Sequence, residues 1–359
     1  MEGKKWFIGF IIELFLLLTG VSLIVIVVDP YFHYHKPVRS MFYSLNNERS
    51  QNDGILKHFE YDAVITGTSM AQNFKTSEFN EIFGTDAVKV CFSGGSYKEI
   101  NENLQRAFDS GHEIKYVLRC LDYGKIIEAK DTMRSDLGEY PEYLYDYNIF
   151  NDVKYILNKE IVFKICLPML IESYVNGKEG GRTSFDEYSF WGSNQTYGGE
   201  IVLGDKKEYV KSEEVCTFTE REHAIVQENI EQNVIKLARE HPDTIFYYFF
   251  SPYSIAYWAG LYEAGKIDRQ IDAEQYAIEL ILTCPNIKLY SFNNCWDITT
   301  DLNNYKDSNH YGDWINTDIL RMIYEGTGLL TEDNYQSYID KEREFYSKYT
   351  YRFYDIDEK

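Results

Sequence analysis

No two of the six cysteines stand in Cys-x-x-Cys spacing, so a zinc site of the usual kind is not expected. Cys91 and Cys120 fall in apolar, strand-like runs and read as core residues. Cys284 and Cys295 flank a later strand-like run and could pair; Cys166 and Cys216 are isolated. Basic residues are also short: 36 Lys and Arg face 57 Asp and Glu, giving a net charge of −21. Phosphate backbones are bound by clustered Lys and Arg, so no nucleic-acid partner is expected. There is no internal repeat and no low-complexity tract. With 44% apolar residues in 359, a sizeable core is possible and global disorder is excluded. The length permits one large domain, or one domain plus additions. Aromatics are abundant, with 32 Tyr and 22 Phe. They fit either a sugar-stacking surface or a compositional bias.

Residues 6–28, from Trp6 to Val28, are almost wholly apolar. At about 1.5 Å per residue, such a helix exceeds the roughly 30 Å hydrocarbon core of a bilayer. Lys4 and Lys5 precede it, favouring a cytoplasmic N-terminus with the rest of the chain outside the membrane. No small-x-small cleavage pattern follows, which favours an uncleaved anchor over a removed signal peptide. Glu13 is costly inside the span and reads either as a partner contact or as an interfacial residue. Asp29 and Pro30 end the helix. His33 and His35 lack an evident third ligand and read as juxtamembrane packing rather than a metal site.

From Tyr61 the pattern alternates. Strands are expected at 62–66, 87–92 and 115–121, with helices near 76–83 and over the face carrying Ile100, Leu104, Ala107 and Phe108. The regularity lapses over about 129–215, which holds Tyr140 to Tyr147, an apolar helix candidate at 151–173 and Gly-rich turns at 177–181 and 197–204. That stretch reads as an insertion over the sheet's carboxyl edge, either a lid or a structural cap. Alternation resumes with a helix at 219–240, a strand at 244–250, a loop at 251–254, a helix at 265–283, a strand at 287–292 and a helix at 314–324. Strands alternating with amphipathic helices imply an α/β fold with a mostly parallel sheet. The expected division is an anchor at 1–30, a domain at 31–330 and a charged helical tail at 331–359. Trp191, Trp258, Trp296 and Trp314 read as core or lid residues, and His112, His223 and His241 as solvated.

The first strand ends in Thr66-Gly67-Thr68-Ser69. Open α/β sheets place ligands at the carboxyl ends of their strands, so Ser69 can present both a nucleophilic hydroxyl and an N–H to a cleft. It is otherwise a cap at a strand–helix junction. Asp307 and His310 stand three apart in a polar loop after the last strand. That spacing lets the carboxylate accept from one imidazole nitrogen while the other faces a hydroxyl.

With these two blocks the chain resembles the SGNH (GDSL-like) hydrolase superfamily. Gly67-Thr68-Ser69 matches its Gly-x-Ser block, and Asp307-Ser308-Asn309-His310 its Asp-x-x-His block. The resemblance implies a three-layer α/β/α sandwich of flavodoxin-like order. It also implies the catalytic triad Ser69, Asp307 and His310, with an oxyanion hole from the Ser69 N–H and Gly94 or Gly95 in Ser93-Gly94-Gly95. It spans roughly residues 60–326. The family's Gly-x-Asn-Asp block is absent; Asp122-Tyr123-Gly124 stands there instead. Asp122, Tyr123 and Asn309 are candidate substrate-binding residues, and Asp122 could alternatively orient the Gly94 turn. An N-terminal anchor, with Asp301 to Tyr305 and Tyr311 around the Asp–His loop, is similar to envelope proteins of this superfamily. These include the D-alanyl transfer protein of teichoic-acid modification and exopolysaccharide O-acetyltransferases. The implied function is an esterase or O-acyltransferase acting on cell-envelope polysaccharide or teichoic acid, beside a membrane-bound O-acyltransferase. It needs no cofactor and no metal. The second reading is a catalytically weak scaffold that binds glycan or assists assembly, suggested by the missing asparagine.

Overall fold

The computed structural model describes residues 2–136, 140–146 and 148–354. It divides into two compact units, Met1–Phe59 with Ser135–Ser184, and Glu60–Arg134 with Phe185–Lys359.

In the first unit, helix α1 (Glu2–Val28) is long and apolar enough to cross a membrane. It is exposed over most of its length and buried only towards its end, at Val25 and Val28. Asp29 then turns the chain with a left-handed φ of 43°. Its buried carboxylate gathers the backbone N–H groups of His33 (3.0 Å), Tyr34 (2.8 Å) and His35 (3.0 Å), and the Tyr155 hydroxyl (2.9 Å). Donors orphaned at the chain reversal are thus satisfied by one side chain. His33 bonds Asp152, and His35 bonds the Ile26 and Lys36 carbonyls. Helix α2 (Glu48–His58) starts at Asn47, whose side chain accepts from the Ser50 N–H. A short helical turn at 153–156 precedes one unbroken helix over 159–175. Asn158 restarts the chain by capping Glu160, and π-turns occupy Val162–Cys166 and Ile171–Val175 on either side of Pro168, which has no N–H to give. The irregular 129–215 stretch therefore distributes itself over both units. Its residues 137–139 and 147 lie outside the described residues, as do 355–359 of the tail.

The second unit is built on five strands: β1 (Ala63–Gly67), β2 (Ala87–Cys91), β3 (Tyr116–Leu121), β4 (Ile245–Phe250) and β5 (Ile287–Ser291). They pair in the order β2-β1-β3-β4-β5, all parallel, in the register Ala63↔Ala87, Ala63↔Tyr116, Tyr116↔Ile245 and Phe246↔Ile287. β1 and β2 are buried at every position, as expected of a parallel sheet covered on both faces. Helices follow the strands: α3 (Thr76–Phe83), α4 (Tyr97–Asp109), α5 (220–240), α6 (Ile255–Glu263), α7 (Ile267–Leu282), α8 (Asp313–Glu325) and α9 (Tyr335–Lys348). α3 packs with α8, whereas α4, α5, α7 and α9 pack in a chain with one another. α4 opens on a capping box between Ser96 and Glu99, and α5 on one between Thr219 and Glu222.

Three features differ from the sequence expectation. α6 lies where only a loop and a later helix were expected. Its buried face carries Ile255, Ala256, Trp258 and Ala259, and Trp258 stacks on Tyr346 at 3.9 Å between centroids. Such a short, nearly all-apolar helix has little amphipathic signal. Cys284 and Cys295 are both free thiols. Two of the three histidines expected in solvent are half-buried against an aromatic ring, His112 on Tyr61 and His241 on Phe108, whereas His223 is exposed as expected.

Candidate active site

Ser69 lies just beyond the carboxyl end of β1, and backbone geometry explains how. Gly67 has φ +146°, and a Cβ there would come within 2.8 Å of the Ala71 Cβ, so only glycine lets the chain turn this tightly. The turn then winds through the bonds Ala71 N–H to Thr68 O (3.0 Å) and Phe74 N–H to Ala71 O (3.2 Å). Lys89, fully buried in β2, donates its ammonium to the Gln72 (2.5 Å) and Phe74 (2.9 Å) carbonyls. Asn316 of α8 donates to the Met70 carbonyl at 3.2 Å. The Ser69 loop is thereby clamped from the sheet and from a helix.

The Asp307–His310 loop is pinned separately. Tyr305 and Tyr311 bridge across its base, with the Lys306 N–H on the His310 carbonyl at 3.0 Å. The Ser254 hydroxyl donates to the Ser308 carbonyl (2.7 Å), and the Tyr305 hydroxyl to the Pro252 carbonyl (2.6 Å). Two loops that meet at the carboxyl edge of the sheet thus bring together residues 241 positions apart. Ser69 Oγ and His310 Nε2 are separated by 2.7 Å, and His310 Nδ1 lies 2.8 Å from Asp307 Oδ2 and 2.9 Å from Oδ1. Asp307 Oδ1 also accepts the backbone N–H groups of Asn309 (2.9 Å) and His310 (2.8 Å). Partial burial pushes the Asp307 carboxyl up, but the hydrogen bonds and charge of His310 outweigh it and hold the group down at about 2. Asp307 is therefore ionised at neutral pH, and its bond to Nδ1 leaves Nε2 to accept the Ser69 proton.

Among the described residues no hydrogen bond takes up the N–H of Ser69 or of Gly94. The Gly95 N–H donates to the Phe92 carbonyl at 2.8 Å. Of the two glycines expected to serve an oxyanion, Gly95 therefore closes a turn and Gly94 keeps its donor. Gly94 has a left-handed φ of +58°, and the Arg134 guanidinium, bonded to the Ser93 carbonyl, fills the space a side chain would need there.

The substrate-binding candidates fall differently. Asp122 is buried, and both its carboxylate oxygens are taken, by the Thr68 hydroxyl (2.6 Å) and the Tyr253 hydroxyl (2.6 Å). Burial pushes its carboxyl up, and the two hydroxyls pull against that. Asp122 thus braces the residue preceding Ser69 and presents no oxygen to a sugar. Tyr123 is 1% exposed, and its hydroxyl donates to Glu274 at 2.9 Å, so it is a core residue. Asn309 is half-buried and serves Asp307 through its backbone; its side-chain oxygen accepts from Ser308. Trp191 and Tyr253 were not legible as site residues, and the bracing of Asp122 by Thr68 and Tyr253 was not legible either. No local pattern marks them, because each reaches the site from a different segment.

No family model matches this chain. No curated protein matches it. One solved structure, described as "The structure of a putative platelet activating factor from Streptococcus pneumonia", is similar at 13% identity and a TM-score of 0.35, over 78% of this chain and 90% of that one. A likeness at that level carries no argument about fold or chemistry.

Proposed function

We propose that the protein is an SGNH-type serine esterase or O-acyltransferase, anchored by α1 and working outside the cytoplasmic membrane on cell-envelope polysaccharide or teichoic acid. The observation that carries this reading is the unbroken relay from Ser69 Oγ through His310 to Asp307. A parallel sheet in the order β2-β1-β3-β4-β5 with two groups of packed helices supports the three-layer sandwich of that family. The apolar run of α1 from Trp6, with Lys4 and Lys5 before it in the helix's first turn, supports the orientation.

In this mechanism Ser69 Oγ attacks the acyl carbonyl while His310 Nε2 takes the hydroxyl proton. Asp307 stabilises the imidazolium and fixes its tautomer. The tetrahedral oxyanion is received by the Ser69 and Gly94 N–H groups, each worth about 3 kcal/mol. Collapse breaks the bond to the leaving alcohol, which receives the proton from His310, and an acyl-serine remains. Attack by water then gives an esterase; attack by a polymer hydroxyl gives a transferase. A membrane-bound O-acyltransferase is the kind of partner that would supply the acyl group. The test uses the full chain in detergent micelles with an activated acetyl ester, following acetate release and acetylation of added envelope polymer. Ser69→Ala should abolish both; turnover retained in that variant would overturn the mechanism.

A further inference from the structure

Asp307 alone does not fix the direction in which His310 points. The two residues belong to the same loop, three positions apart, and the Asp307 side chain is 47% exposed. They could swing together, away from Ser69, without stretching their mutual bond. Something from outside the loop must oppose that motion, and Trp191 is placed to do so. Its indole ring meets the His310 imidazole at 5.4 Å between centroids and 89° between planes. Its Nε1–H donates to the Ser69 carbonyl at 3.0 Å. One side chain therefore touches both the base and the backbone of the nucleophile.

Trp191 is itself held. Its backbone N–H donates to Asn73 Oδ1 at 3.1 Å, at the end of the nucleophile loop. Five residues earlier, the Asp186 carboxylate accepts from the Ser77 N–H (3.0 Å), the Ser77 hydroxyl (2.6 Å) and the Thr76 hydroxyl (3.0 Å), tying the segment to the start of α3. The Lys306 ammonium lies 3.9 Å from the Trp191 ring centroid, a cation–π contact made by the Asp–His loop itself. The indole thus bridges the two loops that carry the triad.

We propose that Trp191 is a positioning residue for acyl transfer at Ser69, holding His310 in the rotamer that faces Ser69 Oγ and fixing the peptide that follows the nucleophile. This rests on the reading of Ser69 and His310 as nucleophile and base. Loss of the indole frees the imidazole while leaving the Asp307 bond intact. Misplacement of a reacting group by about 1 Å can cost on the order of 100-fold in rate.

Two readouts on the full chain in detergent micelles test this. The first is optical. An imidazolium quenches a neighbouring indole, so Trp191 emission, taken as wild type minus Trp191→Phe, should show a step with pH that depends on the His310 ring, whose charged neighbours are Asp307, Asp122 and Lys306. The step should vanish in His310→Ala. The second is the rate and pH profile of Ser69 modification by a fluorophosphonate. Trp191→Ala should slow it by about 10- to 100-fold and shift its acid limb. Trp191→Phe, which keeps a ring but loses the donor, should recover part of the rate, with thermal unfolding confirming that both variants fold. Wild-type rate and profile in Trp191→Ala would overturn the proposal, as would emission with no step dependent on His310. If wild type is not modified, the acyl-transfer reading falls, and the optical step alone decides whether Trp191 holds His310.

Discussion

Replacing Asp307 by Asn perturbs the relay at one atom. The amide oxygen can still accept the Asn309 and His310 backbone N–H groups that Asp307 Oδ1 now accepts at 2.9 and 2.8 Å. The other position, 2.8 Å from His310 Nδ1, becomes an NH2 donor. Nδ1 also lies 2.9 Å from Oδ1, but a hydrogen on Nδ1 would meet the new NH2 hydrogens; Nδ1 therefore accepts from the amide, the ring proton moves to Nε2, and Nε2 points a hydrogen at Ser69 Oγ, where a lone pair is needed. The negative charge that would stabilise the imidazolium is lost as well. Loss of the correct tautomer in a serine triad costs about 10⁴ in rate, equivalent to roughly 5.5 kcal/mol of barrier. Fluorophosphonate modification of Ser69 in Asp307→Asn should accordingly be about 10³- to 10⁴-fold slower than in wild type. A rate within tenfold of wild type would refute the assignment of Asp307 as orienter. The sign of its titration adds a second check. Its pKa in the folded chain is held down at about 2, below an ordinary aspartate near 4, so its contribution is fully present above about pH 4 and is lost as pH falls from there towards 2. An acid limb in the modification rate above pH 5 therefore cannot come from Asp307.

Other perturbations follow from the same geometry. Thr68→Val removes one of the two hydroxyls on buried Asp122 and should cost about 2 kcal/mol in denaturant unfolding, with slower Ser69 modification; a loss below about 0.5 kcal/mol would contradict the bracing role. Asp29→Ala leaves three backbone N–H groups and the Tyr155 hydroxyl without their acceptor and should destabilise the first unit by about 3 kcal/mol, read as earlier proteolysis and unfolding of its segments. Glu274 of α7 and Glu342 of α9 are buried together, and burial pushes both carboxyls up, Glu274 further through the charge of Glu342. The native chain then holds a proton that the unfolded chain releases above about pH 4.5, so stability falls as pH rises from there through the raised pKa. Glu342→Gln keeps the bond from Asn293; it should raise Tm at pH 8 and flatten its decline between pH 5 and 8, and an unchanged slope would show that the pair does not share a proton.

The sheet was legible because its strands are short β-branched or aromatic runs with turns between them. Ala63–Gly67, Ala87–Cys91 and Ile245–Phe250 stand within one or two residues of the expected strands. α6 was not legible, since Ile255, Ala256, Trp258 and Ala259 give no polar stripe to set the period. The helix expected over 151–173 was legible from Lys159 onward; what composition did not show is the fresh start at 158, where the Asn158 side chain caps the Glu160 N–H. At the site, the meeting of Ser69, Asp307 and His310 could be anticipated because a serine after the first strand and a three-residue Asp–His spacing are local patterns. The role of Asp122 was not local. Its hydroxyl partners Thr68 and Tyr253 are 54 and 131 positions away, so nothing in Asp122-Tyr123-Gly124 distinguishes a brace from a ligand contact. Trp191 reaches Ser69 across 122 positions and is hidden for the same reason.

The most direct test of the central claim is the site of fluorophosphonate attachment. The full chain in detergent micelles is treated with the probe, digested and read by mass spectrometry, with His310→Ala alongside. Stoichiometric phosphonylation of the peptide carrying Ser69, lost in His310→Ala, is the expected result. Absence of adduct at Ser69, or an adduct that persists without His310, would contradict an activated serine and leave a glycan-binding scaffold as the better description.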